Sequence, residues 1–230
     1  TDCDKDVEPE KLDSREDLIN FNNGFLVLSS LTLIPHTPEI FSTIQIPCNW
    51  NSQAQRMPVF ESYLNKLTDG IPAAMNLLLQ FTGLVISNIR GTIDKNALFL
   101  IGKGDSGKSQ FLELLKRLVG ESNYAAIDFS ELENNRFASS KLYRKRLAGD
   151  SDMKAMNVSE VNRFKSLTGG DPISIEFKGK DSFTAHYNGA LLFCGNDMPL
   201  FGGDKGKHVY DRMIIIPCNN AIPKEDQDPQ

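Results

Sequence analysis

Hydrophobic and polar positions alternate along the second half of the chain in a strand-then-helix order. Short apolar runs, typical of buried parallel strands, are followed by segments whose apolar residues recur every three or four positions, as on one face of a helix. The predicted strands are Ala97–Ile101 and residues 123–129, 145–152, 189–197 and 212–218. The predicted helices begin near Lys108 and occupy residues 130–140 and 158–168. This alternation predicts an α/β fold with a central parallel sheet flanked by helices and joined by right-handed crossovers.

A β-hairpin insertion is predicted at residues 173–187. Two β-like runs there flank a turn that contains Gly179. Lys178 and Lys180 stand at the tip of this turn, so the hairpin would present two ammonium groups. The alternative is an exposed hairpin whose lysines only serve solubility.

The first half of the chain has a different pattern. Residues 1–17 are acidic and polar and predict a flexible arm, whereas residues 18–34 place apolar runs around the turn sequence NNG and predict a small hairpin. A proline-punctuated extended segment leads to helices predicted at residues 58–67 and 71–88. The predicted division is an arm (1–17), a small N-terminal α/β appendage (18–70), a core (71–220) and a polar tail (221–230).

Composition is that of an ordinary globular chain, with 230 residues, 40% of them hydrophobic and 24% charged. No apolar run reaches about 18 residues, so no membrane contact is expected, and the acidic N-terminus is no secretory signal. The four cysteines lack C-x-x-C spacing and only three histidines are present, so free thiols are expected rather than a zinc site. The first residue is Thr and the chain ends in a polar stretch, which indicates a fragment of a larger protein.

The sequence GKGDSGKS after the first core strand fits the phosphate-binding pattern G-x-x-x-x-G-K-[ST]. Glycines let successive backbone N–H groups wrap the phosphates, and the helix that follows adds its positive dipole end. Lys108 would hold the β- and γ-phosphates of ATP, and Ser109 would ligate Mg²⁺. The predicted nucleotide-binding residues are Gly102, Gly104, Asp105, Ser106, Gly107, Lys108, Ser109 and Gln110.

Hydrolysis needs further groups, and three segments offer candidates. Asp150 and Asp152 end the third core strand; Asp150 is the favoured metal-side ligand and Asp152 the second acid, although the spacing does not decide between them, and a plain turn is the alternative. Asn196 follows an apolar strand and could sense the γ-phosphate or merely form a turn. Arg212 precedes the last strand, where it could stabilise the transition state from an adjacent subunit or simply pair with Asp211.

Together these segments resemble one family. The order GKGDSGKS, GDSD, FKSLTGGDPISIEFKGKDSF, ALLFCGNDMP and YDRMIIIP is similar to the helicase part of phage, plasmid and poxvirus primase–helicases, which are superfamily 3 helicases of the AAA+ class. The stretch NFNNGFLVLSSLTLIPHTPEIFSTIQIPCNWN, residues 20–51, resembles the segment that precedes the helicase core in that family.

The resemblance implies a P-loop NTPase of the AAA+ type that assembles as a hexameric ring and moves along single-stranded DNA while hydrolysing ATP. It implies that Lys108 and Ser109 bind phosphate and Mg²⁺, that Asn196 is a sensor, and that Arg212 acts in trans as an arginine finger. A primase domain upstream and a cytoplasmic location, in a bacterium or a phage-infected cell, are also implied. Met213 follows Arg212 where the family often has a second arginine, so Arg212 is the sole candidate for that role.

The net charge of −5 argues against a broad basic surface for DNA. Six hairpins converging on the channel of a ring would still line it with lysines, so Lys178 and Lys180, with His186, are the predicted DNA-binding residues. Phe183, His186 or Tyr187 could add base stacking. Two other functions remain open: a non-motor AAA+ initiator ATPase that binds DNA, and a small P-loop kinase, for which no arginine-rich lid is present.

Overall fold

Strands and helices follow the predicted order along the chain. The computed structural model describes residues 11–55, 57–89, 96–158, 160–201, 206–223 and 225. Within these residues the strands are β1 (Leu18–Phe21), β2 (Gly24–Val27), β3 (Thr32–Ile34), β4 (Ala97–Ile101), β5 (Tyr124–Ala126), β6 (Leu147–Met153), β7 (Asn157–Val158), β8 (Ile173–Ile175), β9 (Phe183–Ala185), β10 (Ala190–Gly195), β11 (Leu200–Phe201) and β12 (Met213–Pro217). The helices are α1 (Pro58–Leu67), α2 (Pro72–Ile86), α3 (Lys108–Val119), α4 (Phe129–Asn134), α5 (Ala138–Leu142), α6 (Asn162–Gly169) and α7 (Gly206–Tyr210).

Five parallel strands form the central sheet, in the order β12, β4, β10, β6 and β5. The chain therefore enters the sheet at β4, moves three positions away to β5 and steps back one position to β6. It then fills both sides of β4 with β10 and β12. Because all five strands run the same way, their carboxyl ends meet at one edge of the sheet. The predicted central parallel sheet flanked by helices is confirmed.

Both faces of this sheet are buried, which explains the continuous apolar runs of its strands. Along β4, Leu98 and Leu100 join a cluster with side chains of α2 and α3, whereas Ala97 and Phe99 join a second cluster with side chains of α4 and α6. Phe99 and Phe193 belong to the second cluster, and their rings pack in a tilted arrangement with centroids 5.3 Å apart. Each such fully buried side chain contributes about 1.5–3 kcal/mol to stability.

The N-terminal segment packs directly against the central sheet and shares buried side chains with it. β1, β2 and β3 form an antiparallel sheet, so the predicted hairpin is present and gains a third strand. Ile19, Phe21 and Leu26 of that sheet belong to the same buried cluster as Leu98 and Leu100 of β4. The N-terminal segment and the central sheet therefore share one hydrophobic core.

A buried arginine ties α2 to the start of β6. Arg146 is 2% exposed, and its guanidinium donates hydrogen bonds to the carbonyls of Leu84, Val85 and Ser87 at the end of α2 and to that of Asn188. Burial lowers the pKa of Arg146 to about 10. The negative end of the α2 dipole and four carbonyl acceptors thus stabilise a charge that has no carboxylate within hydrogen-bonding distance among the described residues.

Two predicted helices differ from the structure, each for a local reason. Residues 130–140 form two helices, α4 and α5, because the side-chain carbonyl of Asn135 accepts the backbone N–H of Phe137 and breaks the helix. The helix expected from residue 158 begins at Asn162, because Val158 pairs with Phe201 in the short parallel ladder of β7 and β11.

The predicted hairpin is present as β8 and β9, which pair antiparallel outside the central sheet. Within the described residues no single helix is long and apolar enough to cross a membrane. α1 and α2 reach that length and composition only together, and they are bent by 118° at their junction.

Candidate nucleotide and nucleic-acid sites

The glycine-rich loop, residues 102–107, joins β4 to α3 at the carboxyl edge of the sheet. Glycine is required at two of its positions. A Cβ on Gly102 would collide with the carbonyl O of Cys218, because β4 and the end of β12 lie side by side there. Gly107 caps α3 in the left-handed conformation, with φ of 89°, which other residues rarely adopt. The predicted strand, loop and helix therefore meet as the motif requires.

The ammonium of Lys108 lies inside this loop. Its Nζ atom donates to the carbonyls of Gly102 at 2.8 Å and Lys103 at 2.5 Å, and to the Ser106 hydroxyl at 3.0 Å. These three acceptors match the three donors of an ammonium. Lys108 is 6% exposed and Ser106 is 1% exposed. The loop thus surrounds a positive charge with its own backbone, next to the exposed residues Lys103, Gly104 and Asp105.

Ser109 connects the first turn of α3 to the strand that carries the two acids. Its hydroxyl donates a hydrogen bond of 3.0 Å to the carbonyl O of Ser151, between Asp150 and Asp152 on β6. Asp150 is half-buried and Asp152 is exposed, and a carboxylate oxygen of Asp150 accepts the backbone N–H of Asp152 at 3.1 Å. The structure therefore brings Ser109 and Asp150 to one site, although β10 separates β4 from β6.

Asn196 lies at the same edge. It follows Gly195, the last residue of β10, whose carbonyl accepts the backbone N–H of Gly102 at 3.1 Å. Asn196 is exposed and directly adjoins the start of the glycine-rich loop along the sheet edge. Gln110 is exposed on the first turn of α3, with its N–H bonded to the carbonyl of Gly107. The predicted sensor and the loop are thus neighbours.

Arg212 lies at the amino ends of the sheet strands, opposite the carboxyl ends that carry the glycine-rich loop. Met213 pairs with Ala97 and Pro217 with Ile101, so Arg212 precedes the amino end of β12 while the loop follows the carboxyl end of β4. Five residues of strand place the two ends about 16 Å apart. The guanidinium of Arg212 donates to the carbonyl of Lys165 and the hydroxyl of Thr168, both at 3.2 Å. Arg212 therefore does not approach the glycine-rich loop of its own chain.

The tip of the β8–β9 hairpin carries exposed lysines on an anchored base. Lys178 and Lys180 are exposed on either side of Gly179. Beneath them, Phe183 is 40% exposed and packs edge-on against Tyr143, with ring centroids 5.1 Å apart. The guanidinium of Arg144 lies 5.1 Å from the centroid of the same tyrosine. Glu176, which directly follows β8, forms an ion pair with Arg136. The hairpin is therefore a basic and aromatic projection that is held by contacts at its base.

The stacking candidates differ in accessibility. Tyr187 is 6% exposed and its hydroxyl donates to the carbonyl of Ala190, so the expectation that it could stack on a base is wrong. His186 is exposed, with its Nδ1 atom 2.9 Å from the carbonyl O of Gly170. Of the two aromatic rings, Phe183 is therefore the accessible one, whereas Tyr187 follows the end of β9 and is buried next to β10.

Two contacts to the glycine-rich loop come from residues that sequence reasoning missed. The hydroxyl of Tyr63 on α1 donates to the carbonyl of Gly107 at 2.9 Å, and the backbone N–H of Ile222 donates to the carbonyl of Asp105 at 2.8 Å. Tyr63 lies 44 positions before Gly107, and Ile222 lies in the segment expected to be a polar tail. No local pattern marks either residue, because only packing brings them to the loop.

Oxygen donors at this edge suit a hard divalent cation. Within the described part of the chain, no group of three or more histidine, cysteine or acidic residues could hold a metal by itself. The hydroxyl of Ser109 and the carboxylate of Asp150 are two oxygen donors of the kind that Mg²⁺ prefers, and Mg²⁺ commonly takes its other ligands from phosphate and water. The residues present therefore fit a metal that arrives with a phosphate ligand.

Two family models match different parts of the chain. A family model described as a family of unknown function, DUF5906, matches residues 100–228, so the chain belongs to that family. The model of a second family, described as D5 N terminal like, matches residues 1–69. The glycine-rich loop, the acids, the hairpin and Arg212 all lie in the DUF5906 region, and Tyr63 lies in the other.

Among curated proteins, the chain is similar to a DNA replication helicase of Autographa californica nuclear polyhedrosis virus. The two are 28% identical over 131 residues, which is 56% of this chain and 10% of the viral protein. The chain thus spans about a tenth of that relative's length.

Solved structures share the fold. An apo structure of the NrS-1 C-terminal region matches with a TM-score of 0.61 and 18% identity, covering 94% of this chain and 47% of that one. A further apo structure of the same region gives a TM-score of 0.61 at 19% identity, covering 97% of this chain and 49% of that one. This chain therefore corresponds to about half of those structures.

Proposed function

We propose that this chain is the ATPase core of a DNA helicase, a P-loop NTPase of the AAA+ type related to superfamily 3 helicases. The observation that carries the proposal is the hydrogen bond from Ser109 to Ser151, because it unites the glycine-rich loop with the acid-bearing strand. A phosphate cradle beside a carboxylate at the carboxyl edge of a parallel sheet is what ATP hydrolysis requires. The similarity to a viral DNA replication helicase supports DNA as the partner.

The loop residues bind and orient ATP in this proposal. Lys108 leaves the carbonyls that it now contacts and turns its ammonium to the β- and γ-phosphates, while the backbone N–H groups of the loop hold the phosphate oxygens. Ser109 and Asp150 hold Mg²⁺, which when bound neutralises charge on the phosphates. Asp152 orients the attacking water or accepts its proton, and Asn196 contacts the γ-phosphate.

Arg212 completes the site of a neighbouring subunit. At about 16 Å from its own loop it cannot stabilise charge there, since the reach of an arginine side chain is far shorter. A half-buried guanidinium held by Lys165 and Thr168 is well fixed for contact with a second copy. We therefore infer that hydrolysis needs an oligomer, and that the oligomer is a ring, as in a hexameric helicase.

Single-stranded DNA is the proposed ligand of the hairpin. Lys178 and Lys180 neutralise phosphates, and Phe183 offers a ring on which a base can stack. Six hairpins in one channel would concentrate twelve ammonium groups, which reconciles DNA binding with a chain charge of −5. A primase domain upstream in the full-length protein and a cytoplasmic site of action complete this proposal.

ATP turnover in the presence and absence of DNA tests the proposal. The full chain with Mg²⁺ should hydrolyse ATP, and a single-stranded oligothymidylate should increase the rate. Strand displacement from a forked duplex then separates a motor from an initiator ATPase that only binds DNA. DNA-independent ATP turnover that instead required a small acceptor molecule would favour a kinase.

Two variants identify the catalytic acid. Asp150→Asn should abolish Mg²⁺-dependent turnover and weaken Mg²⁺-dependent nucleotide binding, whereas Asp152→Asn should slow turnover while nucleotide still binds. Asp17→Asn, a change of the same charge at an exposed ion pair with Arg15, is the control and should keep wild-type activity. Full activity in both Asp150→Asn and Asp152→Asn would refute the site.

A further inference from the structure

Tyr63 makes a specific contact with the backbone of the glycine-rich loop. Its hydroxyl donates to the carbonyl O of Gly107 at 2.9 Å. Its ring covers the same residue, since a Cβ on Gly107 would lie 3.2 Å from the Cε2 atom of Tyr63. The tyrosine therefore holds Gly107 by a directed bond and by contact at once.

The carbonyl that Tyr63 holds determines where the next N–H points. The carbonyl of Gly107 and the N–H of Lys108 belong to one planar trans peptide, in which the two groups point in opposite directions. The carbonyl also accepts the N–H groups of Gln110 at 3.1 Å and Phe111 at 3.2 Å, as the first acceptor of α3. A third donor from outside the helix fixes this peptide plane, and with it the direction of the Lys108 N–H.

The hydroxyl of Tyr63 stays a donor across the physiological range. Burial strongly raises the pKa of Tyr63 above that of an ordinary tyrosine, with buried cysteines Cys194 and Cys218 nearby. A neutral hydroxyl whose acceptor is a backbone carbonyl gives a bond that does not depend on pH.

The contact also crosses the boundary between the two family matches. Tyr63 lies on α1, within residues 1–69, whereas Gly107 lies within residues 100–228. α1 is fixed to the core by Leu64 and Leu67, each 1% exposed. The N-terminal segment is thus built to present one polar group to the loop.

We propose that Tyr63 is a positioning residue for the nucleotide site, and that the N-terminal segment forms part of that site. This inference rests on the proposed function, since it assigns the loop to phosphate binding. Tyr63 acts through the Gly107–Lys108 peptide and not by contact with the reacting atoms. Its loss should loosen the peptide that presents the Lys108 N–H, and so weaken nucleotide binding more than the chemical step.

A matched pair of variants tests the inference. Tyr63→Phe removes one hydroxyl and keeps the ring, and Tyr187→Phe removes another buried hydroxyl that donates to a carbonyl at 3.0 Å, away from the loop. Both should lower the melting temperature by similar amounts. Only Tyr63→Phe should raise the dissociation constant of a fluorescent ATP analogue and the KM for ATP, by about 3- to 10-fold, with kcat changed less than twofold.

The outcomes separate this inference from the proposed function. If the wild-type chain does not bind the analogue, both are overturned. If the wild-type chain binds it and Tyr63→Phe binds equally well, the positioning role alone is overturned. Equal weakening in Tyr63→Phe and Tyr187→Phe would show a general loss of packing and would also overturn the role.

Discussion

The hydroxyl of Ser109 on α3 and the carbonyl O of Ser151 on β6 are joined by a hydrogen bond of 3.0 Å. The two residues lie 42 positions apart. Ser109 is on the helix that follows β4, and β4 is not a neighbour of β6 in the sheet. β10 lies between β4 and β6, so the first turn of α3 must cross the end of β10 to make this contact. That crossing brings the hydroxyl of Ser109, the carboxylate of Asp150 and the loop that encloses the Lys108 ammonium to the carboxyl ends of the strands.

Lys108→Ala should reduce ATP turnover by at least about 100-fold. The change removes the ammonium that the loop encloses, and this ammonium is proposed to stabilise negative charge on the phosphates in the transition state. The variant should keep the wild-type circular dichroism spectrum, since the buried core side chains are unchanged. Lys66→Ala, which removes an exposed lysine from α1, is the control and should keep full activity. Turnover above a tenth of the wild-type rate in Lys108→Ala would contradict the assignment of the loop.

Arg212→Ala should be inactive alone and should regain activity when mixed with Lys108→Ala subunits. A mixed assembly contains some interfaces in which an intact loop faces an intact arginine, so part of the turnover should return. Steady-state ATPase across mixing ratios measures this effect. No gain at any ratio would argue against a site shared between subunits.

Changing Lys178 and Lys180 together to Ala should weaken single-stranded DNA binding and flatten its salt dependence. Each lost phosphate contact lowers the slope of log K against log salt by about 0.7 for a single strand. Fluorescence anisotropy of a labelled oligothymidylate at several salt concentrations gives that slope. The control changes Lys66 and Arg117, two exposed cations outside the hairpin, and an equal loss of slope in both double variants would show general charge attraction only.

Arg146→Met should lower the free energy of unfolding by about 3–5 kcal/mol. The change leaves carbonyls at the end of α2 buried and without their donor, which is the costly way to break a buried polar interaction. Arg144 lies two residues away and its exposed guanidinium contacts only the ring of Tyr143 among the cation–ring contacts described above. Arg144→Met should therefore lower stability by no more than about 1 kcal/mol. Urea denaturation of both variants measures the contrast. Equal stabilities would show that the hydrogen bonds of Arg146 to the end of α2 contribute little.

Glu133→Gln should alter the dependence of stability on pH. The carboxylate of Glu133 accepts the backbone N–H groups of Arg163 and Phe164 at the start of α6, yet burial raises its pKa. A carboxyl whose pKa is higher in the folded state favours folding most at low pH, and this contribution is lost as pH rises through the raised pKa. The glutamine variant has no such loss, so its melting temperature should rise relative to that of the wild type as pH increases above about 4, the ordinary pKa of a glutamate.

Thermal unfolding of both proteins across that range tests the sign. Glu39→Gln, which makes the same change of charge at an exposed surface position, is the control. A difference between Glu133→Gln and the wild type that stays constant from pH 4 to pH 7 would contradict the effect of burial on Glu133.

Sequence by itself determined the elements of the core and the order of its candidate residues. The apolar run Ala97–Ile101 was recognisable as a strand because both faces of a buried parallel strand must be apolar. The loop was recognisable because backbone that approaches Cys218 and turns left-handed at Gly107 demands glycine. These are local requirements of backbone geometry and burial, so they leave marks at fixed spacing along the chain.

Only the tertiary structure decided which side chains meet. It placed Ser109 against β6, moved Arg212 to the far edge, buried Tyr187, and brought Tyr63 to the loop across 44 positions. Strand order and packing fix these relations. When one strand is inserted between two others, the hydrophobic pattern of those two strands does not change, so the sequence does not show it. The sequence therefore determines the chemical type of each candidate residue, whereas the distances between these residues follow from long-range packing of the whole core.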